Sequence, residues 1–333
     1  MQAVVLVGGF GTRLRPLTLS TPKQLLPVGN RPMLERVVEH LARHGVDRAV
    51  LSLGYRPDAF RDAYPDGTCA GVELHYAVEP EPRDTAGAIR FAADHAGISE
   101  RFLVVNGDVL TDLDVTDLIA RHDAAGAEAT LALHRVEDPS AFGVVPTRPD
   151  GRVLAFIEKP PRDEAPTNLI NAGTYVLEPT VVDRIEPDVP VNVERVTFPA
   201  IAADGALYAF DGDTYWIDAG TPASLLQANL DLLSDRRGDP EEGIHPEARV
   251  EGKVSTSWLG PGAVVREGAE VQGSLLLPGA TVARGAVVRD AIVGPRATIG
   301  EGATVDEGSV VGDDVQVGPG DELHGTRVPA PVP

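Results

Sequence analysis

Cysteine is almost missing from this chain: Cys69 is the only one among 333 residues. A single thiol excludes disulfide bonds within the chain and any metal site that needs two or more cysteines. Such sparse use of cysteine is typical of proteins in a reducing compartment. We therefore expect the protein to be cytoplasmic.

Long apolar runs and a targeting segment are also missing. The chain has no apolar run of about 18 residues, the length that a membrane-spanning helix needs. Residues 1–12 show neither the basic start nor the small-residue cleavage site of a signal peptide. We therefore expect no membrane association and no signal peptide.

Positive charge is scarce. The sequence has 29 lysines and arginines against 50 acidic residues, which gives a net charge of −21. Nucleic-acid binding needs a basic surface, so we expect no nucleic-acid partner. Only three lysines occur, Lys23, Lys159 and Lys253. A phosphorylated ligand would therefore depend on positive charge concentrated at one place.

Several catalytic and cofactor motifs are absent. The chain contains neither the G-x-S-x-G motif of serine hydrolases nor the H-E-x-x-H motif of zinc proteases. The G-x-G-x-x-G dinucleotide motif fails because Leu14 stands where the third glycine belongs, and the G-x-x-x-x-G-K-[ST] loop is missing. Phosphoryl or nucleotidyl transfer remains, since positioning and charge neutralisation supply most of its rate.

What the chain does have is a glycine-rich stretch behind its first apolar run, residues 3–7. The stretch is GGFGTRLRPLT at residues 8–18, followed by TPKQ at residues 21–24. A buried strand that leads into such a loop presents backbone N–H groups to phosphate. Arg13, Arg15 and Lys23 add positive charge. The alternative is a tight turn with solvated basic residues.

Strands and helices alternate after this loop. Predicted strands cover residues 3–7, 48–53, 72–78, 102–106 and 129–136; predicted helices cover residues 32–44, 86–96 (with Thr85 as cap) and 116–125. A hairpin around residues 149–151, a strand at 171–177 and helices at 193–203 and 222–235 follow. This order predicts an α/β fold with a Rossmann-like, mostly parallel mixed sheet flanked by helices.

A six-residue period dominates the C-terminal part. Aliphatic residues recur at every sixth position at Val287, Val293, Ile299, Val305, Val311, Val317 and Leu323. An earlier run at Val265, Val271 and Leu277 is out of phase with it, which predicts an irregular turn between the two runs. Small residues precede several of these aliphatic residues by two positions: Ala291, Ala297, Ala303 and Ser309. This pattern predicts a left-handed parallel β-helix over residues 245–328. The predicted domains are a catalytic domain at 1–235, a linker at 236–244, the β-helix and a proline-rich tail at 329–333.

Carboxylates and a lysine stand where chemistry is expected. Asp108 follows a buried strand, and Asp218 lies in a W-I-D-A-G segment. Two such carboxylates are suitable Mg²⁺ ligands, although either one alone could be a capping or turn residue. Glu158 and Lys159 could bind a sugar phosphate or form a solvated ion pair. Glu79 could accept the N1–H and N2–H groups of guanine or lie solvated in a loop.

These motifs together resemble the sugar-1-phosphate nucleotidylyltransferases. The resemblance rests on residues 8–18 with Pro22-Lys23, and on N-G-D at 106–108, F-G at 142–143, E-K-P at 158–160, N-A-G at 171–173 and W-x-D-x-G at 216–220. Within that family the chain is most similar to the mannose-1-phosphate guanylyltransferases. It departs from the family at Arg83-Asp84, where Leu-Gly is usual before T-A-G, and at Val196, where an acidic residue is common.

The resemblance implies transfer of a nucleotidyl group from an NTP, expected to be GTP, to a sugar 1-phosphate, expected to be mannose 1-phosphate, with Mg²⁺ as cofactor. The implied roles are catalysis by Arg13, Lys23 and Asp108; nucleotide binding by Leu6, Gly8, Gly9, Gly11, Thr12, Arg13, Lys23, Glu79, Thr85, Ala86 and Asp108; sugar-phosphate binding by Gly143, Glu158, Lys159, Asn171, Gly173 and Asp218; and metal binding by Asp108 and Asp218.

Other interpretations stay open at this point. The same chemistry could serve glucose 1-phosphate with a thymidylyl, uridylyl or adenylyl donor, or a cyclitol phosphate with a guanylyl donor. A non-catalytic nucleotide-sugar sensor could keep the fold. The β-helix has room for only four to five coils and holds just His245 and His324, so we interpret it as structural rather than as an acyltransferase. A homo-oligomer, dimer or tetramer, is expected.

Overall fold

A computed structural model describes residues 1–54, 56–238 and 240–330. The chain divides into two compact units. The sheet unit comprises Met1–Gly9 and Glu35–Trp216; the β-helix unit comprises Phe10–Leu34 and the chain from Ile217 onward. Residue 239 of the predicted linker and residues 331–333 of the predicted tail lie outside the described residues.

The sheet unit is built on one ten-stranded mixed sheet. Its strands are β1 Gln2–Leu6, β2 Arg48–Leu53, β3 Thr68–Cys69, β4 Val72–Val78, β5 Phe102–Asn106, β6 Ala129–Arg135, β7 Gly143–Val144, β8 Ile157–Glu158, β9 Leu169–Leu177 and β10 Leu207–Asp211. The main path across the sheet is β8-β7-β9-β5-β1-β2-β4-β3, and β6 joins β9 to β10.

The centre of this sheet is parallel, as the alternation of strands and helices predicts. β5, β1, β2 and β4 lie side by side in parallel, and β10 is parallel to β6. Strand β9 runs antiparallel to both β5 and β6 and has a register shift between Asn171 and Tyr175. The mixed α/β sheet is thus confirmed, and β9 is an antiparallel strand between β5 and β6.

Seven α-helices occur among the described residues: α1 Met33–Arg43, α2 Pro57–Ala63, α3 Asp84–Ala96, α4 Val115–Ala125, α5 Thr180–Asp183, α6 Phe198–Ala203 and α7 Pro222–Asp231. Gly97 and Gly126 end α3 and α4 in the left-handed conformation that glycine adopts without strain. No helix in the described ranges has both the length and the apolar character needed to cross a bilayer.

The helix predicted over residues 193–203 is present, but its first half is π-helical rather than α-helical. A π-helical turn covers Val193–Thr197, and α6 begins only at Phe198. Asn192 caps this turn, because its Oδ1 accepts hydrogen bonds from the backbone N–H groups of Glu194 and Arg195. Pro199 has no N–H group to donate to an α-helical bond, which is consistent with the wider turn before it.

The β-helix unit contains three faces, each a sheet of five parallel strands. The faces are Arg249–Val250, Val264–Val265, Thr281–Val282, Thr298–Ile299 and Gln316–Val317; Lys253–Ser255, Glu270–Gln272, Val287–Arg289, Thr304–Asp306 and Glu322–His324; and Trp258–Leu259, Leu275–Leu276, Ile292–Val293, Val310–Val311 and Arg327–Val328. Stacked short parallel strands on three faces are the arrangement that the six-residue period predicts.

The β-helix core corrects two of the predicted inward residues. Leu276 and Val288 belong to the central core cluster, rather than their neighbours Leu277 and Val287. The cause is two five-residue steps, because the core residues before Leu276 and Val293 are Val271 and Val288. The predicted small residues Ala291, Ala297, Ala303 and Ser309 are all fully buried. The same holds for five further small residues: Ala263, Ala269, Ser274, Ala280 and Ala286.

The segment Phe10–Leu34 packs within the β-helix unit. It forms a short hairpin from Pro27–Val28 and Arg31–Pro32. Asn229 of α7 is completely buried, and its Oδ1 accepts a hydrogen bond of 2.8 Å from Gly29 N. Trp258 Nε1 donates to Asn30 Oδ1 at 3.3 Å. The turn of this hairpin is therefore supported by side chains that lie 200 and 228 residues away in sequence.

Candidate active site

Three neighbouring strands of the sheet unit end at the same level. Leu6 of β1 is in register with Ser52 of β2 and with Asn106 of β5. Ligands of open α/β sheets bind beyond the carboxyl ends of such strands. The loops that leave this edge carry the predicted residues Gly8 and Asp108. The sheet thus brings Leu6, Gly8 and Asp108 to one edge.

Asp108 is fixed by the loop behind β5. The preceding Gly107 donates its N–H to Leu6 O at 3.0 Å, which ties the start of the loop to β1. Asp108 is 8% exposed. A largely buried carboxylate at this edge keeps its position without depending on a mobile loop.

Glu79 lies at the same edge, behind β4. It is 9% exposed, and a Cβ added at Gly8 would lie 3.8 Å from Glu79 Oε1. Glu79 Oε1 accepts from Ser52 Oγ at 2.9 Å, and Glu79 Oε2 accepts from Arg83 N at 3.1 Å. Each oxygen keeps further acceptor capacity. The contact between Glu79 and guanine stays a prediction. The structure also gives Glu79 a structural role that the sequence did not suggest, since its carboxylate binds both Ser52 and Arg83.

The first residues of α3 form hydrogen bonds with residues 191–193. Thr85 lies inside α3 rather than capping it, so the predicted cap is wrong. Thr85 Oγ1 accepts from Val193 N at 2.9 Å, and Ala86 N donates to Val191 O at 2.8 Å. Hydrogen bonds therefore join the predicted nucleotide-binding residues Thr85 and Ala86 to residues 191–193.

The departure from the family pattern at residues 83–84 has a structural account. Asp84 has a φ of 56°, in the left-handed region where glycine is unstrained. Its Oδ1 accepts from Asn192 Nδ2 at 3.0 Å, and this bond supports the conformation. The Arg83 guanidinium pairs with Asp188 at 2.7 Å and lies 4.8 Å from the centre of the Phe91 ring. Arg83 and Asp84, which stand where Leu-Gly is usual, are thus each held by a side-chain contact within this protein.

A second group of predicted residues gathers around β9. Asn171 Nδ2 donates to Glu194 Oε1 at 2.9 Å and to Tyr175 Oη at 2.8 Å, and its Oδ1 accepts from Gly173 N at 3.1 Å. Gly173 has a φ of 73°, and an added Cβ would lie 2.5 Å from Asn106 Nδ2. Only glycine fits there. Asn171 acts in the structure mainly as an organiser of its neighbours.

Glu158 and Lys159 stand beside Gly143, another of the predicted sugar-phosphate-binding residues. Gly143 is in register with Glu158, and an added Cβ would lie 2.5 Å from the Phe156 ring. Lys159 Nζ is 3.1 Å from Glu158 Oε1, and the lysine side chain is 61% exposed. Lys159 also has a φ of 48°, an uncommon conformation for a residue with a side chain. Such conformations are concentrated at functional sites.

From residue 10 onward, the glycine-rich loop belongs to the β-helix unit. Thr12–Leu14 forms a 3₁₀ turn after Gly11, whose φ is 63°. An added Cβ at Gly11 would lie 2.9 Å from Thr18 Cγ2 and 3.2 Å from Lys23 Cβ. The missing side chain at Gly11 therefore allows the loop to close against Lys23, which begins a second 3₁₀ turn. Gly9 and Thr12 are exposed.

Arg13 and Asp218 meet in the same unit. Arg13 Nη2 is 3.8 Å from Asp218 Oδ2, and Asp218 Oδ1 accepts from Gly220 N at 2.8 Å. An added Cβ at Gly220 would lie 2.6 Å from Arg13 Nη2. Gly220 therefore leaves space for the guanidinium. The structure joins a predicted catalytic cation to a predicted metal-binding carboxylate.

Comparison of the sequence with models of protein families identifies the family of this chain. A model described as nucleotidyl transferase matches residues 2–235, which is more than two thirds of the chain. The chain belongs to the nucleotidyl transferase family. A second model, described as the GMPPB C-terminal domain, matches residues 238–331. The resemblance inferred from the motifs is confirmed.

Curated relatives of this nucleotidyl transferase carry a common name. Mannose-1-phosphate guanylyltransferase of Mycobacterium tuberculosis is 40% identical over 271 residues, covering 81% of this chain and 72% of that protein. Mannose-1-phosphate guanyltransferase of Schizosaccharomyces pombe is 43% identical over 250 residues, covering 74% and 68%.

Solved structures support the fold of the sheet. HddC from Yersinia pseudotuberculosis, also solved in complex with GMP-PN, has 29% identity and a TM-score of 0.60 over 69% of this chain and 98% of that chain. A putative glucose-1-phosphate thymidylyltransferase from Bacillus anthracis, solved with a sucrose, has 25% identity and a TM-score of 0.63, over 73% and 98%.

Nucleotidyl transferases generally use a divalent metal ion. The chemistry of the candidate ligands fits one, because Asp108 and Asp218 offer carboxylate oxygens, which hard divalent cations prefer. The described residues contain another acidic cluster, formed by Asp306, Glu307 and His324 on the β-helix. That cluster already pairs His324 with Asp306, and the motifs do not point to it.

Glu194 is the residue that the sequence-based site omitted. Burial, followed by the neighbouring Glu158 carboxylate, raises the pKa of the Glu194 carboxyl above its ordinary value. Carboxyl groups with raised pKa values are concentrated at functional sites. The signal for Glu194 in the sequence is the Glu194-Arg195 pair before Phe198-Pro199, which supports the resemblance to the mannose-1-phosphate guanylyltransferases. It gives no indication that Glu194 contacts Asn171.

We expect Glu194→Gln to raise thermal stability while weakening sugar-phosphate binding. A raised folded pKa means that the native state loses stability as the pH rises from about 4.3 through that pKa, because the buried carboxylate must ionise. The stabilisation should therefore be larger at pH 8 than at pH 5, as measured by the melting temperature.

The same variant should raise KM for the sugar phosphate about tenfold, the size expected for losing one hydrogen bond to a charged group. Glu186→Gln is a suitable control, since Glu186 is exposed. Equal melting shifts at both pH values, or an unchanged KM, would contradict the assignment of Glu194 to this site.

Proposed function

We propose that this nucleotidyl transferase makes GDP-mannose from GTP and mannose 1-phosphate. The observation that carries the choice of substrates is that relatives at 40% and 43% identity, each matched over more than two thirds of its length, have the name mannose-1-phosphate guanylyltransferase or guanyltransferase. The gathering of predicted residues along the sheet edge and in the glycine-rich loop supports the chemistry.

The proposed reaction is a direct displacement at phosphorus. A phosphate oxygen of the sugar 1-phosphate forms a bond to the α-phosphorus of the triphosphate, and the bond from that phosphorus to the bridging β-phosphate oxygen breaks. Pyrophosphate leaves with the electron pair of the broken bond, and the nucleotide-sugar forms. No covalent enzyme intermediate is needed, which agrees with the absence of a nucleophile motif.

The side chains have separate roles in this proposal. Backbone N–H groups of Gly8, Gly9 and Gly11, together with Arg13, hold the triphosphate. Lys23 neutralises charge that grows on the phosphates in the transition state. Lys159 binds the phosphate of the sugar.

Contacts of the sugar and the base complete the assignment. Glu158 and Glu194 accept hydrogen bonds from sugar hydroxyls, with Asn171 holding Glu194 in place. Gly143 and Gly173 belong to the same sugar-phosphate side, where their missing side chains leave room for Phe156 and Asn106. Leu6, Glu79, Thr85 and Ala86 form the nucleotide side of the site, and Thr12 contributes from the glycine-rich loop.

We propose Mg²⁺ as the metal ion, with Asp108 and Asp218 as its protein ligands. When bound, it would act as a Lewis acid on the α-phosphate and orient the triphosphate. We also propose a catalytic domain at residues 1–235, a linker at 236–244, a left-handed β-helix at 245–328, a homo-oligomer of two or four chains, and a cytoplasmic location.

A matrix of substrates tests the proposal. Four NTPs and dTTP are combined with mannose, glucose and N-acetylglucosamine 1-phosphates, with and without Mg²⁺, and pyrophosphate release is measured. We expect GTP with mannose 1-phosphate to be the best pair and release to require the metal. A different best donor would reject the guanylyl assignment, and no release with any pair would favour a nucleotide-sugar sensor.

A further inference from the structure

The last coil of the β-helix contacts the glycine-rich loop. Arg327 begins the final strand, Arg327–Val328, of one β-helix face. Its Nη1 donates to Arg13 O at 2.9 Å and to Arg15 O at 3.2 Å. One guanidinium nitrogen carries two N–H bonds, so it can serve both carbonyls. A residue 312 positions beyond Arg15 thus binds the backbone of the loop.

Two further contacts accompany this one. Asp313, in the turn of the preceding coil, accepts a short hydrogen bond from Ser20 Oγ. An added Cβ at Gly312 would lie 3.0 Å from Pro16 Cβ and 3.2 Å from Pro16 Cγ. The missing side chain at Gly312 therefore allows the loop to pack closely on the coil. Three positions of the β-helix support residues 13–20.

Several carbonyl groups of this loop accept hydrogen bonds from partners within the protein. Gly11 O accepts from Leu14 N at 2.9 Å and from Thr18 Oγ1 at 2.7 Å, and Thr12 O accepts from Arg15 N at 3.2 Å. The Arg327 guanidinium donates to the carbonyl of Arg13, which follows Thr12 in the sequence.

The direction of these carbonyls matters because a loop that binds phosphate must present N–H groups to the anion and keep carbonyl oxygens away from it. By fixing the Arg13 and Arg15 carbonyls, the guanidinium of Arg327 selects the backbone orientation that such a loop requires.

We propose that Arg327 is a positioning residue for the triphosphate, and that the last β-helix coil is therefore part of the nucleotide-binding site. This inference rests on the proposed function, since it assumes that the loop binds an NTP. It also revises the interpretation of the β-helix as only structural. Arg327 acts through the backbone of Arg13 and Arg15, not by touching the phosphates.

Arg327→Met tests the inference by removing the donors while keeping an unbranched side chain. KM for the NTP should rise about tenfold, the change expected when a charged hydrogen-bond donor is lost. KM for the sugar phosphate should stay within about twofold. Hydrogen exchange of the amides at residues 12–20 should become faster. Arg327→Lys, which retains charged donors, should recover part of the NTP affinity.

Arg284→Met is the matched control, because Arg284 is on the same β-helix and pairs with Glu267 at 3.1 Å. It should leave both KM values and the loop exchange unchanged. Gly312→Ala is an independent variant if Arg327→Met does not fold, since its methyl group would press on Pro16. It should also raise KM for the NTP selectively.

The inference is overturned if KM for the NTP is unchanged, or if both KM values rise equally together with a fall in melting temperature. Failure of the proposed function is a separate result. In that case the wild-type chain releases no pyrophosphate with any pair, whereas exchange of residues 12–20 in Arg327→Met, with and without GTP, still measures whether Arg327 orders the loop.

Discussion

Replacing Lys23 with alanine is expected to lower turnover by about 10²–10³-fold while leaving the fold intact. Removal of one preorganised group that stabilises transition-state charge costs about that much. Lys23 begins a 3₁₀ turn, and its Cβ would lie 3.2 Å from a Cβ added at Gly11, so its backbone is held against the glycine-rich loop. Steady-state pyrophosphate release measures kcat and KM.

The effect should appear in kcat more than in KM, because charge on the phosphates increases towards the transition state. Lys23→Arg should recover only part of the rate, since a planar guanidinium does not reproduce the compact charge of an ammonium group. Lys253→Ala is the control: Lys253 is 84% exposed on the β-helix and pairs with Glu270. Turnover of Lys23→Ala within tenfold of wild type would exclude Lys23 as the catalytic cation.

Replacing Asp108 with asparagine is expected to lower turnover by about 10³-fold or more. Charge stabilisation by a bound metal is worth several kcal/mol, and each 1.36 kcal/mol is a factor of ten in rate. Asparagine keeps the size of the side chain but removes its negative charge. Because the side-chain volume is kept at a position that is only 8% exposed, the change should act on metal affinity rather than on the packing of the loop.

A titration with Mg²⁺ separates this explanation from a structural one. The variant should need a higher metal concentration for half-maximal activity, and the Mg²⁺-dependent rise in melting temperature with GTP should become smaller. Asp117→Asn is the control, because Asp117 is about half exposed on α4 and pairs with Arg121. An unchanged metal requirement in Asp108→Asn would contradict its role as a ligand.

Much of the sheet unit is predictable because its strands carry strong local patterns. The strand predicted at residues 48–53 is β2, and the strand predicted at residues 102–106 is β5. Buried parallel strands are continuous apolar runs, and parallel order makes their ends coincide. The expectation that Asp108 follows such an end depends only on these two properties.

Other features depend on pairings that the sequence does not encode locally. The antiparallel direction of β9 is decided by its neighbours on the sheet. The five-residue steps that place Leu276 and Val288 in the β-helix core follow from how successive coils align. Leu276 and Leu277 are adjacent leucines in the same local sequence pattern. Only the stacking of the coils decides which of the two joins the core cluster.

The family, the two architectures and the charged residues near the glycine-rich loop can be inferred from the sequence alone, because they depend on short motifs and regular periods. The contacts that support them are visible only in the folded chain. Glu194 meets Asn171, and Arg327 meets the carbonyls of Arg13 and Arg15, across 23 and more than 300 residues of sequence. Such contacts arise from packing between distant segments, and no local pattern of residue types records them.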